Sequence, residues 1–190
     1  MLFTQRLDLI EGSRDSVRAA IDDHARLGEL LHARIPASWP PELLDISALE
    51  WTLRWFDNPA FDPEFGMYWM VLRESAQLRT LVGAAGFKGG PTGISSNVVG
   101  FEGAPSEQGT VELGYGVIAE YQRRGYATET VRAFLEHAFA SPRVRRVIAE
   151  TLPGLAPSIG VLETAGFRFI GGGSEPGVIR YEITKSELTA

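Results

Sequence analysis

The chain contains no cysteine and has only three histidines among its 190 residues. The absence of cysteine excludes disulfides, thiolate nucleophiles and cysteine-ligated metals. His24, His32 and His137 do not show the spacing of metal ligands, so the sequence predicts no metal site. A chain without cysteine also fits a reducing compartment, and we expect a cytoplasmic protein.

Long apolar runs and an excess of positive charge are missing as well. No segment approaches the roughly 20 apolar residues that a membrane-spanning helix needs. Arg6 and Asp8 interrupt the region where a signal peptide would be apolar, so we expect a soluble, unexported protein with no membrane partner. The formal net charge of −6 argues against a nucleic-acid partner, which would require a basic face, and fits an amine-bearing ligand.

The composition is that of a globular protein, with 44% hydrophobic and 22% charged residues. The length and the absence of a linker or internal repeat predict one domain spanning 1–190. Apolar periodicity predicts strands and helices in alternation, with an exposed loop at 89–107. The predicted strands are 6–10, 67–73, 78–88, 111–118, 144–151, 167–170 and 178–184. The predicted helices are 13–33, 42–56, 126–140 and 156–165.

A short basic turn connects the strand 111–118 to the helix 126–140. Helix N-termini carry unpaired N–H groups and a partial positive charge, which favours a bound phosphate. The usual Ser, Thr, Asp or Asn cap is absent here, which leaves those N–H groups for an incoming anion. A surface connection with solvated arginines is the alternative. The residues of this phosphate turn are Gln122, Arg123, Arg124, Gly125, Tyr126, Ala127 and Thr128.

Two motifs carry a family resemblance. Gln122, Gly125 and Ala127 match the signature [QR]-x-x-G-x-[GA] of the Gcn5-related N-acetyltransferase (GNAT) superfamily. The segment S-I-G-V-L-E-T-A-G-F at 158–167 is similar to the closing motif S-x-x-V-L-E-x-x-G-F of that superfamily. Together, with a strand between them, they are more specific than either motif alone. The segment V-E-L-G-Y at 111–115 also resembles the branch that acetylates ribosomal-protein N-termini.

The resemblance implies an α/β fold with a mixed, twisted, mostly antiparallel sheet flanked by helices. Two central parallel strands, 111–118 and 144–151, would splay apart and hold acetyl-CoA between them. The backbone of Val117 and Ile118 would pair with the pantetheine arm. The amides of the phosphate turn would hold the diphosphate.

The chemistry of such a site requires a neutral amine. An α-amino group has a pKa of about 7.7–8.0 and a lysine one of about 10.4, so a lysine acceptor needs a stronger base. Glu112 is the candidate base, and an exposed strand carboxylate is the alternative. Ser158 is the candidate proton donor to the departing thiolate, and a helix N-terminal residue bonded to nearby N–H groups is the alternative. A strand amide near Val117 would polarise the thioester carbonyl.

The chain departs from the family pattern at two places. Leu155 stands where the family often has Asn, which puts a cofactor contact there in doubt. The closing helix also contains no Tyr, which argues against a tyrosine general acid from that helix. Candidates for the acceptor pocket are aromatic residues that would serve equally well in a core. They are Trp39, Trp51, Trp55, Tyr68 and Trp69, and Tyr115 would either reach the site or pack beneath it.

The sequence therefore predicts an acetyl-CoA-dependent N-acetyltransferase that acts by direct transfer in a ternary complex. The acceptor would be a primary amine, either a protein N-terminus or a small molecule. A non-catalytic acyl-CoA sensor and a structural or partner-binding protein are the alternatives. The sequence also leaves a homodimer open.

Overall fold

The computed structural model describes residues 1–42, 44–59, 61–75, 77–88, 106 and 108–188. Its strands are β1 (Leu2–Phe3), β2 (Leu7–Glu11), β3 (Met67–Arg73), β4 (Arg79–Lys88), β5 (Thr110–Val117), β6 (Arg146–Thr151), β7 (Arg168–Gly172) and β8 (Ile179–Thr184). Its helices are α1 (Arg14–Asp22), α2 (His24–Leu31), α3 (Ile46–Trp55), α4 (Tyr126–Ala140), α5 (Ala156–Thr164) and α6 (Lys185–Leu188).

The described strands form one mixed sheet in the order β1-β2-β3-β4-β5-β6-β8-β7. Neighbouring strands run antiparallel throughout, except that β5 and β6 are parallel. This arrangement confirms the predicted fold class, a mostly antiparallel sheet with one central parallel pair and flanking helices.

Helices cover both faces of the sheet. The indole N–H of Trp69 in β3 donates to Oγ of Ser16 in α1 at 2.9 Å. The preceding residue, Tyr68, packs edge-on against Phe134 of α4 with ring centroids 5.2 Å apart. Because successive strand residues point to opposite faces, these contacts define an α1 face and an α4 face of the sheet. α3 packs against α1, and α5 packs against α4.

The predicted helix 13–33 is two helices in the structure. Ser13 caps the first, with its Oγ accepting from the Ser16 amide at 3.1 Å. Asp23 ends that helix with an extended φ of −146° and starts the next, because its carboxylate accepts from the Arg26 amide at 2.9 Å. At this point the Asp23 side chain takes the place of a backbone carbonyl as the acceptor for the Arg26 N–H group. Apolar spacing alone does not reveal the break.

The predicted helix 42–56 begins later, at Ile46. The cause is again a cap, since the Asp45 carboxylate accepts from the Ala48 amide at 2.8 Å. The predicted loop 89–107 lies outside the described residues apart from Ser106. No helix in the described part of the chain has the length and apolar character needed to cross a membrane.

Candidate active site

The parallel strands β5 and β6 separate halfway along their length. Their pairing begins at Thr110 opposite Arg146 and ends at Glu112 opposite Ile148. Beyond that point, among the described strands, β5 pairs with β4 alone, up to Val117, and β6 pairs with β8 alone. A wedge-shaped gap therefore opens between two central strands, as the resemblance predicts.

The backbone of β5 presents polar groups to this gap. The Ile118 amide donates to the Val82 carbonyl at 2.9 Å, so this position faces β4. Opposed residues of an antiparallel pair alternate between bonded and non-bonded positions, and Val117, opposite Gly83, therefore faces the gap. The same alternation turns the peptide groups of Leu113 and Tyr115 toward the gap.

The two backbone positions predicted to meet pantetheine thus differ. The Ile118 carbonyl accepts from the Tyr121 amide at 2.9 Å, so both of its backbone groups bond within the protein. The Val117 carbonyl accepts from Nε2 of Gln122 at 2.9 Å, which leaves the Val117 amide pointing into the gap. Gln122 therefore acts on β5 through its side chain, and it ties the phosphate turn to the strand.

The phosphate turn ends at the N-terminus of α4, at the open end of the gap. Gly125 is the N-cap, with a φ of +83°, and no side chain of the described residues caps the helix. Arg123 also adopts a left-handed φ of +58°. The first-turn amides of Tyr126, Ala127 and Thr128 cannot bond within the helix. Such a terminus combines unpaired donors with the positive end of the helix dipole, the arrangement that binds phosphate.

Contacts from distant parts of the chain hold Tyr121, the residue immediately before the phosphate turn. The Tyr121 hydroxyl donates to Oε1 of Glu74 at 3.0 Å and accepts from Nη2 of Arg34 at 2.9 Å. Burial, followed by the Glu74 carboxylate, raises the pKa of Tyr121, so its hydroxyl keeps its proton. The exposed Arg124 guanidinium lies 5.2 Å from the centroid of the Tyr121 ring. These contacts therefore anchor the residue that leads into the phosphate turn.

Ser158 lies in the first turn of α5, and its hydroxyl oxygen is 3.2 Å from the hydroxyl oxygen of Tyr115. Tyr115 also donates to the Ser158 carbonyl at 3.2 Å. The N-cap of α5 is Leu155, and within the described part of the chain no side chain caps this helix. The Ser158 hydroxyl thus contacts the Tyr115 hydroxyl. The alternative interpretation would have it bond to the free N–H groups at the start of α5.

Tyr115 retains its proton over the physiological range. Burial raises its pKa to about 12, although the hydrogen bond with Ser158 lowers it slightly. The closing helix contains no tyrosine, and the structure instead brings one from β5 to Ser158. The sequence left open whether Tyr115 reaches the site or packs beneath it, and the structure places its hydroxyl against Ser158.

Glu112 and Tyr115 point to opposite faces of the sheet. Tyr115 lies opposite Ala85 in β4, which lies opposite Tyr68 on the α4 face. Glu112 is three residues before Tyr115, so its half-buried side chain points to the α1 face. The two Cα positions are about 10 Å apart at 3.4 Å per residue. The structure therefore does not place Glu112 beside Ser158.

The aromatic candidates for the acceptor pocket fall into two groups. Trp69, Tyr68 and Trp39 are at most 4% exposed and belong to the core. Trp51 and Trp55 lie one turn apart on α3 and are partly exposed. The indole N–H groups of Trp39, Trp51 and Trp55 meet no hydrogen-bond acceptor within the described residues.

A family model described as an acetyltransferase (GNAT) domain matches residues 17–168. The chain belongs to the GNAT acetyltransferase family. This confirms the superfamily resemblance inferred from the phosphate turn and the closing motif.

Two curated relatives of this GNAT protein match part of its length. It is 37% identical over 59 residues to YnaD of Bacillus subtilis (strain 168), an uncharacterised N-acetyltransferase, covering 31% of this chain and 35% of that protein. It is 30% identical over 90 residues to the uncharacterised N-acetyltransferase p20 of Bacillus licheniformis, covering 47% of each. The chain thus spans between a third and a half of the length of these relatives.

Solved structures share the fold over nearly the whole chain. The aminoglycoside acetyltransferase AAC(6')-Ib in complex with coenzyme A and kanamycin has a TM-score of 0.62 at 17% identity, covering 96% of this chain and 97% of that chain. A candidate ribosomal-protein-serine acetyltransferase from Vibrio cholerae has a TM-score of 0.60 at 20% identity, covering 96% of each chain. At these identities the likeness concerns the fold.

Proposed function

We propose that this GNAT protein transfers the acetyl group of acetyl-CoA directly to a primary amine in a ternary complex. The observation that carries the proposal is the uncapped N-terminus of α4, with Gly125 at a φ of +83°, beside the gap between β5 and β6. An anion seat next to a strand whose backbone groups face the gap suits a ligand that carries both a diphosphate and an amide-containing arm.

The coenzyme would follow β5 from the phosphate turn into the gap. The amides from Arg123 to Thr128 would hold the diphosphate, with the arginine side chains beside it. The Val117 amide would bond to the pantetheine arm. The backbone groups of Ile118 bond within the protein, so Ile118 would contribute by shaping the chain between β5 and the phosphate turn.

Ser158 would donate a proton to the departing thiolate. Its Oγ–H would give its proton to the sulfur as the bond from sulfur to the acetyl carbon breaks. The Tyr115 hydroxyl, which donates to the Ser158 carbonyl in this structure, would turn to donate to Oγ as charge develops there, and Oγ would regain its proton from water, which leaves coenzyme A as the free thiol. With the sulfur beside Ser158, the thioester carbonyl would lie nearer the amides of Leu113 and Tyr115 than that of Val117.

Glu112 would serve the other proton transfer. Its side chain points to the α1 face, whereas Tyr115 and Ser158 meet on the α4 face. An amine arriving from the α1 face would attack the carbonyl carbon as the thiolate leaves toward the α4 face. The amine would lose its proton to Glu112 through a water, because Glu112 lies three residues along β5 from Tyr115, a distance of about 10 Å.

The acceptor would be a protein N-terminus or a small amine. Among the proteins that share the fold, one structure contains kanamycin and another is a candidate ribosomal-protein-serine acetyltransferase. These two proteins motivate testing both kinds of acceptor. Trp51 and Trp55 remain the candidates for contacting the acceptor, because they are partly exposed.

A panel of amines tests the proposal. Release of the coenzyme thiol would be measured with peptides carrying a free N-terminus, N-blocked peptides carrying lysine, and aminoglycosides. We expect release with at least one α-amine or small amine. Binding of acetyl-CoA without release across the panel would favour the sensor alternative, and no binding would favour a structural protein.

Glu112→Gln tests the base, with Glu163→Gln on the exposed side of α5 as the matched control. We expect the first variant to lower kcat on the order of 100-fold with an unchanged Kd for acetyl-CoA. The control should retain wild-type activity. Full activity of Glu112→Gln would remove Glu112 from the mechanism.

A further inference from the structure

Arg6 lies 118 residues before Arg124 in the chain and contacts the phosphate turn in the fold. Its Nη1 donates to the Arg124 carbonyl at 2.9 Å. Its guanidinium carbon lies 4.6 Å from the centroid of the Tyr126 ring. A methyl group built on Gly125 would lie 3.2 Å from Nη2 of Arg6. The guanidinium thus packs directly against the turn that forms the candidate diphosphate seat.

A carboxylate on the first turn of α4 fixes this guanidinium. Nε of Arg6 donates to Oε2 of Glu129 at 2.7 Å, and the Arg6 backbone amide donates to Oε1 at 2.7 Å. The Thr4 hydroxyl donates to the same Oε1 at 2.5 Å. Burial alone would raise the pKa of Glu129, but these hydrogen bonds from Thr4 and Arg6 lower it below its ordinary value. Glu129 is therefore ionised at neutral pH and holds Arg6 in one orientation.

The contact with Arg124 determines the direction of the next amide. The Arg124 carbonyl and the Gly125 N–H belong to one planar trans peptide unit and point in opposite directions. A guanidinium that holds the carbonyl on one side therefore holds the N–H toward the other side. Gly125 has no side chain and a left-handed φ, so its own conformation does not lock this plane.

We infer that Arg6 is a positioning residue for the diphosphate of acetyl-CoA, which it serves by orienting the Gly125 amide toward the ligand. The inference rests on the proposed function of the phosphate turn. Arg6 would act through its geometry rather than through its charge, because its guanidinium is already paired with the Glu129 carboxylate. Two donors at a fixed separation are required, one for Glu129 and one for the Arg124 carbonyl. A lysine cannot supply this fork.

Calorimetric titration with coenzyme A tests the inference on Arg6→Gln and Arg6→Lys. We expect both variants to bind about tenfold more weakly than the wild type, since each loses a charge-assisted hydrogen bond that holds the turn. The matched control is Arg132→Gln, which removes a second guanidinium from α4, one that donates to the Thr164 carbonyl at 3.1 Å. The control should bind within about twofold of the wild type.

Titration with S-acetylpantetheine separates positioning from general damage to the fold. This compound lacks the diphosphate, so we expect wild type and both Arg6 variants to bind it equally. In the wild type, the Gly125 amide signal in a proton–nitrogen spectrum should shift on addition of coenzyme A. The shift should be smaller in Arg6→Lys. This variant tests the inference by itself if Arg6→Gln does not fold.

Three results would overturn the inference. They are wild-type coenzyme A affinity in Arg6→Gln, full restoration of affinity in Arg6→Lys, and equal losses for coenzyme A and S-acetylpantetheine. A wild-type protein that binds no coenzyme A would instead refute the proposed function. The failures of the two proposals are therefore distinguishable.

Discussion

The hydroxyl oxygen of Tyr115 lies 3.2 Å from the hydroxyl oxygen of Ser158 and joins β5 to α5 across the gap between the parallel strands. This contact couples the residue proposed to protonate the thiolate to a neighbour whose pKa is about 12. Tyr115 therefore keeps its proton in the pH range where amine acetylation takes place.

Removal of the Ser158 hydroxyl should slow transfer without weakening coenzyme binding. We expect Ser158→Ala to lower kcat on the order of 100-fold, because the thiolate would leave without a proton donor. Tyr115→Phe should lower kcat about fivefold, the effect of losing one neutral hydrogen bond of about 1 kcal/mol. Steady-state kinetics with saturating acetyl-CoA measure both changes. Wild-type kcat in Ser158→Ala would assign this serine a purely structural role.

The high pKa of Tyr115 predicts a change in stability at alkaline pH. The folded state holds this proton more tightly than the unfolded chain, whose tyrosine has an ordinary pKa near 10. The stabilisation is therefore complete below pH 10 and is lost as pH rises from 10 toward 12. Denaturant unfolding across that range should show a steeper loss in the wild type than in Tyr115→Phe. Parallel curves would contradict the burial of this hydroxyl.

The lowered pKa of Glu129 predicts a loss of stability at acidic pH. Its folded-state pKa lies below the ordinary value, so its contribution to stability is present above about pH 4.5 and is lost as pH falls through the folded pKa. Glu129→Gln should therefore unfold more easily than the wild type at pH 7. The difference in Tm should shrink toward pH 3. A constant difference over this range would show that the loss is steric rather than electrostatic.

Gly125 should resist substitution because its backbone is left-handed. Gly125→Ala should cost about 1–2 kcal/mol of unfolding free energy, the penalty that a Cβ carries in this conformation. Gly172→Ala on β7 is the matched control, since a methyl group there meets no atom within 4 Å. Thermal unfolding should separate the two variants by several degrees. Equal Tm values would contradict the strained geometry assigned to the turn.

The apolar periodicity and the glycine before it were enough to predict the helix whose N-terminus forms the candidate anion site. The spacing predicts a helix over 126–140, and α4 spans Tyr126–Ala140. Here the apolar stripe, the glycine before it and the serine after it all agree, so local signals and packing point to the same boundaries. The break at Asp23 was wrongly predicted as continuous helix, because apolar spacing persists across it while a single carboxylate cap divides it.

Contacts between distant segments could not be predicted in this way. Arg6 reaches Arg124 only because β2 and α4 pack together, and no local pattern around Arg6 marks it as part of a site. The contact between Tyr115 and Ser158 depends in the same way on where α5 lies against β5. The sequence predicted the backbone of the phosphate turn, whereas the side chains that hold it depend on tertiary packing.

The binding of acetyl-CoA to Gly125→Glu tests the central claim most directly. The substitution would place a negative charge beside the N-terminus of α4 and repel the diphosphate, although its Cβ would lie 3.2 Å from Nη2 of Arg6, whereas Gly172→Glu adds the same charge at an exposed position on β7. Isothermal titration should show clear binding by the wild type and by Gly172→Glu, and none by Gly125→Glu. Equal affinity in all three proteins would contradict the assignment of the phosphate turn as the coenzyme site.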